Sequence, residues 1–353
     1  MRRSPLPLLI LLFSLIATLF SPGVIAQEHR TLHVKKAGTM VEQLTEAEAN
    51  RITHLTLTGK LNAIDFRHLR DEFESLMVLD LSGASIRLFQ GKRGTYIDGA
   101  YYVYPARCVP AYAFCTKVGD NYVGKKTLRQ VILPDDIINI EDGAFRGCTN
   151  LRILQLNTES APNLLPYALA DSITAVFTRP GCSDSYRTKK GWGAFAVLEA
   201  NPTEATVAIA PGGNLATALI EAGVQPANVN FLTVTGKMDD ADFLLLRDYM
   251  PNLVGVDLEG CTAESIPEFA FTQKKYLLRV VLPRGLKHIG QRAFSGCRRL
   301  CGPIMLPPGM TTIGMGAFMG CERLREVVIT GGPLAEVGDK LFEGGPGRIS
   351  LRK

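Results

Sequence analysis

The segment LRQVILPDDIINIEDGAFRGCTNL at Leu128–Leu151 returns as LLRVVLPRGLKHIGQRAFSGCRRL at Leu277–Leu300, and again as LCGPIMLPPGMTTIGMGAFMGCERL at Leu300–Leu324. A unit of about 23 residues that recurs in this way is a structural layer, because one copy cannot bury its own apolar face and only stacking closes a core. Each copy carries apolar residues at fixed offsets, a Pro that ends a strand, an Ala-Phe pair and a Gly-Cys pair. Those residue types specify packing and turns, so the repeat constrains architecture before it says anything of chemistry.

Within one layer, strand alternation points Leu128, Val131 and Leu133 into the core and Arg129, Gln130 and Ile132 outward. Ile137 and Ile140 form a second edge, and Ala144 and Phe145 close the layer at a short turn or helix. Burying one Phe is worth about 1.5–3 kcal/mol. A column of Phe114, Phe145, Phe271, Phe294, Phe318 and Phe342 therefore supplies much of the cohesion. Cys148, Cys297 and Cys321 each follow a Gly at one place in the unit, which makes them a ladder of small buried groups. Cys108 and Cys115 are the candidate disulfide pair, and Cys182, Cys261 and Cys301 have no assigned role. With no CxxC element, the cysteines do not suggest zinc.

A longer similarity lies beneath the short one. Ile52–Gly83 aligns without gaps on Val229–Gly260, sharing Thr58-Gly59-Lys60 with Thr235-Gly236-Lys237, Asp65-Phe66 with Asp242-Phe243, and Leu69-Arg70-Asp71 with Leu246-Arg247-Asp248. Each copy reads strand, helix, strand. Asn62 with Asp65, and Asp239 with Asp242, are capping pairs, and Phe66, Leu69 and Phe73 form a buried stripe that Phe243, Leu246 and Met250 repeat. Right-handed crossovers between such strands give a parallel sheet. Each copy is preceded by a short strand, a glycine turn and a helix, with Thr39 and Asn214 as candidate caps, which can cover the first strand of a stack. The polar stretch 199–206 reads as a linker, dividing the chain into a first array at 27–200 and a second at 201–353. The TGK tripeptides lack the first Gly and the Ser/Thr of a phosphate loop and read as strand-ending turns.

The first 26 residues carry Arg2 and Arg3, an apolar run and Val24-Ile25-Ala26 before Gln27, the pattern of an export leader with its cleavage site. Without Arg2 and Arg3 the formal net charge falls from +5 to about +3, too small to indicate nucleic acid or a membrane surface by bulk charge. No later stretch is apolar for long enough to span a bilayer. The expected location is exported: cell surface, extracellular or periplasmic.

The pattern LxxVxLPxx(I/L)xxIGxxAFxxCxxL resembles the BspA-type leucine-rich repeat of exported and surface proteins from Bacteroidetes and other microbes. Val109–Phe114, Ile266–Phe271 and Arg179–Phe195 agree with it, the last resembling that family's closing element with Gly191-Trp192 and Phe195. The resemblance implies an α/β leucine-rich-repeat solenoid of parallel strands with short helices and turns, here as two duplicated arrays in tandem. Two departures stand out. Leu151–Leu165 keeps the strand without an AFxxC portion, and the second array ends without a Gly-Trp segment.

Outward strand residues of stacked layers form a continuous face suited to an extended partner. Arg129, Arg152, Arg279 and Arg325 each follow an early Leu of their unit and make a candidate basic stripe, with Ile132, Val281 and Val328 adding apolar character. By resemblance, the partner class includes host matrix proteins such as fibronectin or fibrinogen. An envelope scaffold that assembles with another protein or binds a glycan is the alternative. His29, His33, His54, His68 and His288 show no ligand or nucleophile-base spacing, and Asp80 and Asp257 read as turn-forming acids. The chain is expected to be non-catalytic and to need no cofactor or metal.

Overall fold

The computed structural model describes residues 28–173, 175–193, 195–199, 201–332 and 334–351; the expected leader at 1–26 lies outside the described residues. The alternation of the first strand in each layer becomes a parallel ladder. His29–Val34, His54–Leu61, Val78–Ile86, Gln130–Leu133, Ile153–Leu156, Ala175–Thr178 and Ala196–Glu199 form a seven-stranded sheet in chain order, every pair parallel. Glu204–Ile209, Phe231–Gly236, Gly255–Cys261 and Arg279–Val281 form a four-stranded sheet, and Pro303–Leu306, Glu326–Ile329 and Arg348–Leu351 a three-stranded one beyond it. Spatial order that follows chain order is the geometry of a solenoid. One apolar cluster gathers residues from Leu32 to Val197, and another from Ala205 to Leu341.

Short strands make the second edge. Cys108–Val109, Asn139–Ile140 and Asn163–Leu164 pair in one ladder; Ser265–Ile266, His288–Ile289, Thr312–Ile313 and Glu336–Val337 pair in another. The third side is a turn, not a helix. The residue before each Ala-Phe, for example Tyr112 at φ 55° and Arg292 at φ 51°, sits in the left-handed region. That conformation aims the next amides at the following layer, so Phe145 N donates to Ala168 O at 2.9 Å, Phe271 N to Ala293 O at 2.7 Å and Phe294 N to Ala317 O at 2.8 Å. Side chains stack on the same axis: Phe114–Phe145 at 5.2 Å, Phe271–Phe294 at 5.0 Å, Phe294–Phe318 at 5.3 Å and Phe318–Phe342 at 5.8 Å between ring centroids.

The Gly-Cys pair adds a second tie between layers. Cys297 Sγ donates to Phe271 O at 2.9 Å, Cys321 Sγ to Phe294 O at 3.2 Å and Cys148 Sγ to Phe114 O at 3.5 Å. Each thiol satisfies the backbone carbonyl of a Phe in the preceding layer. Cys108 and Cys115 form no disulfide; their thiols face Ala106 O and Thr116 O instead.

The capping pairs do more than start helices. Asp65 accepts from Asn62 N at 2.9 Å as the capping-box acid of Ala63–Asp71, and also from Gly38 N at 2.7 Å and Met40 N at 3.0 Å. Burial pushes its carboxyl up from the usual value, against the pull of those three amides. Asp242 binds Asp239 N at 3.0 Å and Leu215 N at 2.7 Å in the same way. These carboxylates pin the opening segments to the first helix. The TGK glycines have a steric cause: Gly59 at φ +90° and Gly236 at φ +95° lie against the neighbouring strand, where a Cβ would come 2.4 Å from Val34 O or Ile209 O.

Four expectations need correction. Thr39 makes no side-chain cap; a 3-10 turn occupies Met40–Gln43, and the helix is Glu46–Arg51, capped by Thr45 with Glu48. Asn214 does cap its helix, through Thr217 N. The linker is shorter than 199–206, because Glu199 ends one strand and Glu204 starts the next. At the first TGK the strand continues to Leu61 rather than ending. The layer from Leu151 is complete: Tyr167 has φ 54°, Ala168 is buried, Leu169 packs against the core at the Phe position, and Ser172 Oγ donates to Cys148 O at 2.7 Å where a Cys would stand. The closing segment follows, with Trp192 buried against Tyr186 at 5.2 Å and its Nε1 donating to Pro162 O at 2.8 Å.

Candidate binding cleft

Alternation along Ile153–Leu156, Ala175–Thr178 and Ala196–Glu199 sends Leu154, Val176 and Val197 into the core, so Ile153, Ala175, Phe177 and Leu198 face out. They are nevertheless buried, because they pack on Val254 and Leu278 and on the half-buried Phe231, Tyr276 and Cys301. Phe177 and Phe231 lie 6.4 Å apart. Polar ties frame this junction: Arg299 Nη1 donates to Phe195 O at 2.9 Å, and Gln155 Nε2 to Asn201 Oδ1 at 3.1 Å. The outward face expected to run open along the stack is therefore closed here. Val328, expected outward, is also fully buried, whereas Ile132 and Val281 are half-exposed.

A cleft of about 760 Å³ opens beside the junction. Its floor is apolar, from Leu278, Ile304, Leu306 and Pro303, and its rim holds Arg152, Arg279, Arg284, Asp171 and Glu259. A smaller recess of about 80 Å³ continues from it past Phe231 and Asp257, again between Arg152 and Arg279. Arg152 therefore comes from the seven-stranded sheet and Arg279 from the four-stranded one. Loss of water, then the fields of Arg279 and Arg129, lower the Arg152 pKa, while Glu204 and Asp257 oppose that shift. Arg284 pairs with Glu259 at 3.1 Å, whereas Arg152 and Arg279 repel one another beside an apolar floor, which favours an anionic group on whatever fills the cleft.

The four arginines of the candidate stripe are all exposed, but they are not in one register. Arg129 and Arg152 stand just before their strands on adjacent layers, Arg152 N donating to Arg129 O at 2.9 Å, and Arg325 stands likewise before Glu326–Ile329. Arg279 is the first residue of its strand, and the matching position is Leu278, buried in the junction. The cleft brings Arg152 and Arg279 together with Arg129 in electrostatic reach; Arg325 lines neither recess. Four histidines meet strand neighbours: His29 stacks on His54 at 4.2 Å, His33 meets Thr58 at 3.0 Å and His288 meets Thr312 at 2.8 Å, while His68, in the helix Ala63–Asp71, meets Glu72 at 2.5 Å. Asp80 and Asp257 accept from Ser82 N and Glu259 N, at 2.8 and 3.0 Å, as turn-forming acids do. Among the described residues, no three or more His, Cys, Asp or Glu side chains gather where a metal ion could be held, and no helix is long and apolar enough to cross a membrane.

The family model of the BspA type leucine-rich repeat region matches six copies, over residues 116–181 and 250–348. Over those residues the chain carries BspA-type leucine-rich repeats. Solved structures similar to this chain include a leucine-rich repeat protein from Bacteroides ovatus, 13% identical over 86% of this chain and 85% of that one with a TM-score of 0.29. Another, from Eubacterium ventriosum, is 16% identical over 85% and 84% with a TM-score of 0.27. The pneumococcal vaccine antigen PcpA is 12% identical over 84% of this chain and 62% of that one, with a TM-score of 0.27. No curated protein gives a significant match.

Two elements of the cleft escaped sequence reasoning. The junction residues Phe177 and Leu198 look like ordinary outward strand positions, and only the second sheet packed on them makes them a core. Leu278 was legible, since aligning the LP dipeptides of Leu133-Pro134 and Leu282-Pro283 puts Leu278, not Arg279, opposite Arg129.

Proposed function

We propose that this is an exported, non-catalytic binding protein made of two tandem duplicated arrays, residues 27–200 and 201–353, that holds a protein partner in the cleft between them. The observation that carries the reading is the convergence of Arg152 and Arg279, from different sheets, over an apolar floor. A buried apolar centre ringed by arginine is the composition of an interface that anchors a partner side chain. The same capping acid, glycine clash and first-helix stripe in both arrays support a duplication. The leader-like residues at 1–26 support export, and host matrix proteins such as fibronectin or fibrinogen are the partner class to try first.

The test is capture of matrix proteins, glycans and envelope extracts by the chain lacking residues 1–26, beside an Arg152→Ala/Arg279→Ala variant and a variant that adds Arg129→Ala and Arg325→Ala. The double variant is expected to bind its protein partner at least about tenfold more weakly, and the quadruple one little further. Unchanged binding by both would remove the cleft from consideration. Capture from the glycan or envelope arms alone would identify an envelope scaffold instead.

A further inference from the structure

Residues 87–126 hold seven Lys/Arg against Asp98 and Asp120, a net +5 that equals the formal net charge of the whole chain, and six of its ten tyrosines. Two insertions supply five of those Lys/Arg, both acids and five of the tyrosines. Ile86 and Val109 are joined by 87–108 where Ala263 and Ile266 are joined by 264–265, and Phe114 and Lys125 by 115–124 where Phe271 and Lys274 are joined by 272–273. Each insertion folds as a two-stranded antiparallel hairpin, Phe89–Gly91 with Tyr102–Tyr104 and Cys115–Val118 with Asn121–Gly124. Among the described residues these are the only antiparallel pairs, and each of their strands has a single ladder neighbour.

Isolated two-stranded ribbons are marginal in water, so something must hold these in place. Arg70 Nη1 lies 2.9 Å from Thr95 O and 3.1 Å from both Tyr112 O and Cys115 O, tying the bases of the two insertions to the first helix. Its counterpart Arg247 binds Asp248 alone among the described residues. Ring faces complete the support: Tyr96 stacks on Tyr102 at 4.3 Å, Tyr112 on Tyr122 at 6.0 Å, and Arg146 sits 3.7 Å over Tyr122. Outward remain Tyr101, Val103, Val118 and Val123, exposed by 60%, 47%, 61% and 39%. Lys92, Arg93 and Lys117 are exposed as well, and none pairs with a carboxylate among the described residues.

We propose that these two hairpins form a second docking surface, separate from the arginine cleft, for an extended acidic segment of another polypeptide. Three features select that partner. Strand edges without a ladder neighbour offer N–H and C=O groups to an added strand; the exposed valines provide apolar contact for alternate side chains; and the cations complement carboxylates on the others. A sugar chain is the less suitable occupant, because most of the tyrosine faces that would stack on it are already used against each other and Arg146.

The test uses the chain lacking residues 1–26 and a fluorescein-labelled alternating Glu-Val peptide of about ten residues, a typical strand length, with an alternating Gln-Val peptide and heparin as the other arms. The Glu-Val peptide is expected to bind, to weaken with added salt, and to protect backbone amides within 115–124 or 89–104 from exchange. A Lys92→Glu/Arg93→Glu/Lys117→Glu variant, with an unchanged circular dichroism spectrum, should lose at least about tenfold in affinity, while Arg152→Ala/Arg279→Ala should bind the peptide as the parent does. The proposal is overturned by equal affinity of the charge-reversed variant, by heparin binding without peptide binding, or by protection at the cleft instead of the hairpins. Because the cleft variant is a separate arm, failure of either surface leaves the other decided on its own data.

Discussion

Lys274 is only 4% exposed, and its Nζ donates to Met250 O at 2.7 Å, the carbonyl that follows the helix Asp240–Tyr249. Lys125 stands at the same offset from the LP strand in the first array and reaches Arg70 O at 3.2 Å, in the last turn of Ala63–Asp71. Burial pulls both ammonium groups down to about 8, while Asp248 and Asp71 oppose it. What keeps them there is the negative end of a helix and a carbonyl beyond the helix's own hydrogen-bond ladder. Replacing Lys274 by Met should therefore cost about 1.5–3 kcal/mol in denaturant unfolding, whereas Lys275→Met at its exposed neighbour should stay within about 0.5 kcal/mol. Equal effects would show that the ammonium is not acting as the helix cap. Sequence reading missed this pair because a Lys-Lys doublet ordinarily marks a solvated face; the usable signal was that the doublet recurs immediately before the same strand in both arrays.

At the scale of the repeat element, the motif was legible where one residue type has one job. Phe294 and Cys297 were placed correctly because a ring column and a small thiol leave fixed offsets. The layer closed by Leu169 and Ser172 was not, because Leu fills the ring's place and a hydroxyl stands where the thiol would, donating to Cys148 O and Leu151 O rather than to a Phe carbonyl, which keeps a tie between layers and erases the motif. The thiol column also has a pH signature. Burial raises Cys321 and Cys148 to about 12, while an unfolded thiol ionises near about 8.5. Between those values the unfolded chain has lost protons that the folded chain keeps, so the column's contribution is complete below about pH 8.5 and falls as pH rises. The stability difference between the parent and Cys321→Ala should shrink by about 1 kcal/mol per pH unit from about pH 9 to 10.5. A difference independent of pH in urea melts across that range would mean the thiol is not held neutral.

Over the whole molecule, the similarity of Ile52–Gly83 to Val229–Gly260 is the ground for proposing two arrays, and the packing of the two core clusters on each other could not be read from it. It depends on Phe177, Leu198 and Ile153, whose outward direction sequence predicts and whose burial it does not, since β-branched and aromatic residues are common on exposed strand faces too. The junction is where the proposed cleft acquires both of its arginines, so function depends on the arrays staying docked. Phe177→Asp places a carboxylate in the apolar cluster with Phe231, Val254 and Leu278, where burial penalises the charge. Each array keeps its own core cluster, so the variant should still fold, with the arrays uncoupled. Calorimetry should then resolve two transitions in place of the parent's one, and a Phe177→Ala/Phe231→Ala cycle should return a coupling energy of about 0.5–1.5 kcal/mol. A single unshifted transition in Phe177→Asp would mean that the arrays do not stabilise one another through this contact, and the cleft would then lose its claim to a fixed shape.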